Sequence, residues 1–69
     1  MVTMHAIQQA LEREISYPEQ VYRTIMTGTM ERFGKHYIRF IKRSPKGSTI
    51  CIAEEQGELI IIRTVERGN

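Results

Sequence analysis

The residues best suited to acid–base chemistry lie near the start of the chain. His5, Glu12 and Arg13 combine a group that can move protons, a carboxylate and a cation, which are the types that phosphodiester cleavage requires. His5 and Glu12 are seven residues apart, about two turns of a helix, so a joint role requires a third group between them. A solvated polar helix face explains the same residues without catalysis, and both interpretations stay open.

A second group of candidate residues is basic. No acidic residue occurs in the interval 32–53, which contains six of the ten lysines and arginines. Arg39, Arg43 and Arg63 have matching strand parity and are predicted to line one strip, with Tyr37 placed to stack on a base. Such a strip suits RNA phosphates or a protein surface. Charges that keep strands soluble are the alternative explanation.

Cys51 is the only cysteine, so an internal disulfide is excluded. The two histidines, His5 and His36, are far apart, so no paired metal-ligand spacing exists and we predict neither a metal nor a cofactor. Cys51 lies between isoleucines in a predicted strand. It is either a small buried hydrophobe or, beside arginines on an exposed face, a thiol with a lowered pKa.

Two helices are predicted ahead of the strands. The first covers residues 4–14, is capped by Thr3 and has its apolar residues at helical spacing. Its predicted core-facing stripe consists of Met4, Ile7, Ala10 and Leu11. The second covers residues 17–27, where Ser16 and Glu19 have the spacing of a capping box. Gly28 is predicted to end it in a left-handed conformation.

After residue 28 the apolar period changes to two, which predicts strands up to about residue 66. Turn signals occur at Gly34–Lys35, Ser44–Gly47 and Gln56–Gly57. These connections are too short for parallel crossovers, so the strands should pair antiparallel. The predicted fold class is α+β, a single domain over 1–69 in which two N-terminal helices pack on a three- or four-stranded antiparallel sheet.

Strand alternation assigns side chains to two faces of this sheet. The set predicted to face the helices is Ile38, Phe40, Ile50, Ile52, Ile60 and Ile62. The set predicted on the second face is Tyr37, Arg39, Ile41, Arg43, Cys51, Ile61 and Arg63. This second face is basic and partly apolar, and it is the predicted binding surface.

The stretch from His5 to Ile15 resembles the opening motif of the domain of unknown function 4258 family, in which a His-Ala pair precedes Glu-Arg and an isoleucine. Gln9 stands where that family has an arginine, and Leu59–Val65 resembles its last strand. The resemblance implies a helix–helix–sheet fold like that of the RelE-like and BrnT-like ribonuclease toxins. It does not imply a fixed function, because one fold hosts many functions.

Three functions follow from these observations. The first is a regulatory or interaction module whose basic, partly apolar face binds a protein partner or a second copy, which a small chain without a disulfide or metal favours. The second is a toxin-like RNA-binding protein, with or without ribonuclease activity. The third is a redox- or ligand-responsive protein that uses Cys51. No apolar run of signal-peptide or membrane-span length occurs, so we expect a cytoplasmic protein without a membrane partner.

Overall fold

The computed structural model describes residues 1–68 as two helices followed by four strands. Their bounds are α1 Met4–Glu12, α2 Glu19–Thr27, β1 Thr29–Phe33, β2 Tyr37–Ser44, β3 Gly47–Gln56 and β4 Leu59–Gly68. The strands form one antiparallel sheet in the order β1-β2-β3-β4. The predicted α+β class, with N-terminal helices and an antiparallel sheet, is therefore confirmed, and the sheet has four strands.

The helix α1 starts where the sequence predicts but turns a different side to the sheet. The Thr3 hydroxyl caps it by accepting the Ala6 N–H at 3.1 Å. Ala6 is fully buried, whereas Met4 and Leu11 are 78% and 66% exposed, so the predicted stripe is wrong at these two residues. The physical reason is the N-terminal segment, which pairs with β4 through the Thr3 N–H and the Ile62 carbonyl at 3.1 Å. This pairing sets the rotation of the helix that follows.

The helix α1 also ends two residues earlier than predicted, in a left-handed residue that is not glycine. Glu14 has φ 57°, and the Ile15 N–H reaches back to the Ala10 carbonyl at 2.8 Å. This bond closes a Schellman-type end. It directs Ile15 into the core, where its side chain is 1% exposed.

The helix α2 begins at Glu19, with Pro18 as its N-cap residue after a cis Tyr17–Pro18 peptide. The predicted capping box is wrong, because the Ser16 N–H is donated to the Gln20 side chain at 3.3 Å rather than to Glu19. Gln20 also donates to the Thr49 hydroxyl at 2.7 Å. This one side chain therefore both closes the start of α2 and ties it to β3.

Gly28 ends α2, but not in the predicted left-handed conformation. Its φ is −78° and its backbone is extended. A Cβ at this position would lie 2.5 Å from the Thr24 carbonyl oxygen and 2.6 Å from that of Ile41. The position requires glycine because the helix end passes directly over the backbone of β2.

The β2–β3 hairpin determines which side chains of β3 face the helices. Ser44 pairs with Gly47 across the turn, so Ile38 lies opposite Ala53 and Phe40 lies opposite Cys51. Directly opposed residues share one face of a sheet. Cys51 therefore lies on the helix side with Phe40. The assignment of Cys51 to the second face, and of Ile50 and Ile52 to the helix side, is wrong.

A β-bulge changes the parity of β4. The register between β3 and β4 shifts between Ile52 and Ala53, so Ala53 pairs with Ile62 but Cys51 pairs with Val65. Ile62 and Val65 both face the helices, 2% and 0% exposed. The Val65 N–H is donated to the Gln9 side chain at 3.0 Å, which joins α1 to β4 beside the bulge.

The core between helices and sheet is built around small residues. Ala6 and Ala10 of α1 and Cys51 and Ala53 of β3 are all 0% exposed. Small side chains let the two layers approach closely, since interiors pack at high density. The larger isoleucines of β3 consequently lie on the other side of the sheet.

No helix within residues 1–68 is long and apolar enough to cross a membrane.

Candidate functional site

The side of the sheet away from the helices is named here the open face. Its strand register gives it the apolar residues Phe33, Tyr37, Ile41, Ile50, Ile52 and Ile61. Ile61 is only 5% exposed yet lies outside the core cluster between the layers. Ile41, Ile50 and Ile52 are half-buried, and none of these four isoleucines contributes to that core cluster. The open face therefore has an apolar centre of its own.

Ion pairs flank this apolar centre on both sides. The Arg39 Nε donates to Glu31 at 3.1 Å across β1 and β2. The Arg63 Nε donates to Glu54 at 2.7 Å across β3 and β4, and this bond holds the pKa of the Glu54 carboxyl below its usual value. Both arginines therefore have a carboxylate partner within the fold.

An aromatic pair borders the face near the β1–β2 turn. The rings of Phe33 and Tyr37 stack with centroids 5.6 Å apart. The Arg39 guanidinium lies 5.5 Å from the Phe33 ring centre, within the range of a cation–π contact. Tyr37 is thus already stacked, and Arg39 is held by both a ring and a carboxylate.

The charges on the open face balance. Its cations are Arg39, Arg43 and Arg63, and its carboxylates are Glu31, Glu54 and Glu66. The structure places all four predicted binding residues on this face. Three glutamates lie on the same face as the predicted basic strip, so the face as a whole has no net charge. Sequence reasoning missed this because Glu31 and Glu54 flank the basic interval in sequence and enter the face only through strand pairing.

The predicted catalytic residues lie elsewhere. His5 and Glu12 are exposed on α1, and Arg13 follows at its end. Arg13 Nη1 lies 3.9 Å from Glu12 Oε1, but the His5 side chain makes no hydrogen bond or ion pair within residues 1–68. Because α1 packs on the covered side of the sheet, these residues and the open face do not form one site.

Cys51 is fully buried in the core. Burial raises the pKa of its thiol to about 11, so the thiol is protonated at neutral pH. Within residues 1–68, no group of three histidine, cysteine or acidic side chains is placed to hold a metal ion.

A cleft lies between α2 and the β2–β3 hairpin. Its volume is about 360 Å³, and its wall includes the cations Arg23 and Lys42. Arg43 borders the cleft as well, although strand alternation puts its side chain on the open face. Sequence reasoning missed Arg23, which lies on a helix outside the basic interval. Lys42 belongs to that interval. The absence of acidic residues from the interval was the one feature of the sequence that indicated a basic surface here.

No protein family model, curated protein or solved structure matches this chain. The resemblance to the domain of unknown function 4258 family stays a prediction.

Proposed function

We propose that this protein is a small interaction module that pairs with a second copy of itself through the open face. The observation that carries the proposal is the combination of an apolar centre with flanking ion pairs and no net charge. A phosphate polymer is held by net positive charge, which this face lacks. A protein surface is recognised by an apolar centre with a polar rim.

Charge complementarity favours a second copy as the occupant. A two-fold axis brings the same patch of both partners together, so residue i contacts j and j contacts i. A face with equal numbers of arginines and glutamates can place the Arg39–Glu31 pair of one copy beside the pairs of the other without net repulsion. A face with a single sign of charge would repel its own copy.

The dimensions of the face fit such an interface. Four strands spaced about 4.8 Å apart, with on average about eight residues at about 3.3 Å each, give a projected area on the order of 500 Å². Side-chain relief increases the accessible area further. This is the scale of one partner's share of a standard interface, about 800 Å².

The proposal is tested by the mass of the protein in solution. Sedimentation velocity at concentrations on the order of 100 μM should show twice the chain mass of 8.1 kDa, and Ile52→Lys should give the monomer because an unpaired cation would be buried at the centre of the interface. The matched control is Leu11→Lys, which puts the same charge on an exposed apolar residue of α1.

Arg39→Glu provides a second variant that leaves the apolar centre intact, and circular dichroism checks that each variant folds. Arg39→Glu should weaken the dimer. Adding Glu31→Arg in the same chain should restore it, because the Arg39–Glu31 ion pair is then present again with its two charges exchanged. An unmodified protein that stays monomeric at all concentrations would contradict the proposal. So would a dimer broken by Leu11→Lys and not by Ile52→Lys, because the helix layer would then be the interface.

A further inference from the structure

We infer that the cleft between α2 and the β2–β3 hairpin binds the phosphate group of a small phosphorylated ligand. This site is separate from the open face, because Lys42 and Arg23 lie on the helix side of the sheet. The inference is therefore independent of the proposed dimer, and either one can fail alone.

The distribution of arginine partners points to this cleft. Of the seven arginines in the chain, four are in ion pairs with glutamates. A fifth, Arg67, donates to the Arg13 and Glu14 carbonyl oxygens at the end of α1. Within residues 1–68 the guanidinium groups of Arg23 and Arg43 alone have no such partner. Arg23 lines the cleft from α2, whereas Arg43 borders it from β2 and has its side chain on the open face.

The charge of the cleft wall is positive. Lys42 adds a second cation on the helix side, half-buried and also without an ion pair within residues 1–68. Glu19 is the one carboxylate in the wall, and no cation lies within ion-pair distance of it in the described part of the chain. Two cations, Arg23 and Lys42, against one carboxylate leave a net charge of about +1, which is opposite in sign to that of a phosphate monoester. Arginine and lysine are the usual side-chain ligands of phosphate.

The floor of the cleft is fixed and polar. Gln20 spans it, donating to the Thr49 hydroxyl at 2.7 Å and accepting the Ser16 N–H at 3.3 Å. Thr49 is 3% exposed, and its own O–H proton remains to be donated. The N–H groups of Gln20 and Tyr22 are already bonded to carbonyl oxygens, so side chains rather than the helix end would hold the anion.

The size of the cleft selects a small ligand over a polymer. Its volume of about 360 Å³ lies at the lower end of the range for small-molecule sites, about 300–1,000 Å³. This is room for a phosphate with a compact organic group, such as a nucleoside monophosphate. A single-stranded polymer needs cations that extend along a groove. Here the cations converge on one concave site instead.

Nuclear magnetic resonance titration of the ¹⁵N-labelled full chain tests the inference. The probes are inorganic phosphate, a nucleoside 5′-monophosphate and the same nucleoside without phosphate, all at constant ionic strength. Phosphate and the monophosphate should give saturable shifts of the amides around Gln20, Arg23 and Lys42–Ser44, and the nucleoside should not. Absence of saturable shifts, or shifts spread over the whole surface, would overturn the inference.

Three charge variants sharpen the test. Arg23→Gln and Lys42→Gln should each weaken monophosphate binding about tenfold or more, because each removes one charge-assisted hydrogen bond. Lys35→Gln is the matched control: it removes the same charge from the exposed β1–β2 turn, at the opposite end of β2, and should change the affinity less than twofold. Equal losses in all three variants would overturn the inference. Tighter binding of a short single-stranded RNA than of the monophosphate would also overturn it, because the ligand would then be a polymer.

Discussion

Cys51 has the chemistry of a core residue. It lies opposite Phe40, on the side of the sheet that the helices cover. A reactive cysteine needs access and a stabilised thiolate, and here burial acts against both. The half-buried isoleucines next to it, Ile50 and Ile52, point the other way and form part of the open face. The smallest side chains of β3 thus contribute to the core and the largest contribute to the proposed interface.

The first prediction concerns the reactivity of Cys51. Because its pKa is raised to about 11, the thiol should react with a thiol-specific disulfide reagent only through opening of the fold between pH 7 and pH 9. The rate should rise to that of a free thiol when the protein is unfolded in guanidinium chloride. Rapid, complete labelling of the folded protein would contradict the buried position and would support a redox function.

A second prediction at this scale concerns Glu54, whose pKa is lowered chiefly by the hydrogen bond from Arg63. A lowered pKa in the folded state stabilises the fold above the ordinary carboxyl value of 4.5, and this contribution is lost as the pH falls through the folded value. The free energy of unfolding, measured with urea between pH 3 and pH 6, should therefore depend less on pH in Glu54→Gln than in the unmodified protein. Glu58→Gln, at an exposed turn residue that has no ion pair within residues 1–68, should keep the dependence, and an equal change in both variants would refute this assignment.

At the scale of elements, two glutamines join the helices to the sheet. Gln20 connects α2 to Thr49 of β3, and Gln9 connects α1 to the Val65 N–H of β4. The second contact satisfies a backbone donor next to the bulge, where regular pairing with β3 is interrupted. Gln9 therefore has a structural role at the position where the resemblance leads one to expect an arginine.

Replacement of Gln9 tests that role. Gln9→Leu keeps the size of the side chain but leaves the Val65 N–H without an acceptor, which should lower the free energy of unfolding by about 1–3 kcal/mol. Gln8→Leu, at the adjacent exposed position, should change it by less than about 0.5 kcal/mol. Urea denaturation measures both, and equal effects would show that the Gln9 contact contributes nothing.

The elements that the sequence predicts are those with local signals. Thr3 as a cap, the turn at Pro45–Lys46 and the glycine at position 57 each act on their own segment, so the two helices and the antiparallel hairpins follow from them. The face of β3 requires the register as well. A two-residue turn pairs Ser44 with Gly47 and thereby puts even residues of β2 opposite odd residues of β3, a constraint that the alternation within each strand does not contain.

Other features depend on contacts between distant segments and have no local signal. The rotation of α1 depends on the bond between Thr3 and Ile62, which are far apart in sequence. The ion pair between Arg63 and Glu54 requires the β3–β4 pairing. The four predicted binding residues lie on one face, as strand alternation predicts. The net charge of that face cannot be predicted from the basic interval, because its glutamates lie outside that interval and reach the face only through strand pairing.

At the scale of the whole molecule, the chain has two apolar surfaces on its sheet and covers one. The core beneath the helices relies on alanines and Cys51 as well as on larger residues. A domain of 69 residues without a disulfide has little stability to spare. Burial of the three half-buried isoleucines of the open face, Ile41, Ile50 and Ile52, against a second copy would add apolar contact that the monomer does not make, so stability and association should be linked.

This linkage predicts a melting temperature that depends on protein concentration. If the folded state is a dimer and the unfolded state is a monomer, each tenfold rise in concentration adds about 1.4 kcal/mol of stability per dimer, about 0.7 kcal/mol per chain. For a domain of this size 1 kcal/mol corresponds to about 4–8 °C, so the melting temperature should rise by about 3–6 °C per tenfold. Calorimetry or circular dichroism over about two decades of concentration measures the slope. Ile52→Lys should melt lower and without concentration dependence, whereas Leu11→Lys should keep the slope of the unmodified protein. A melting temperature that stays constant in the unmodified chain would mean that the open face faces solvent and that the small core stabilises the fold alone.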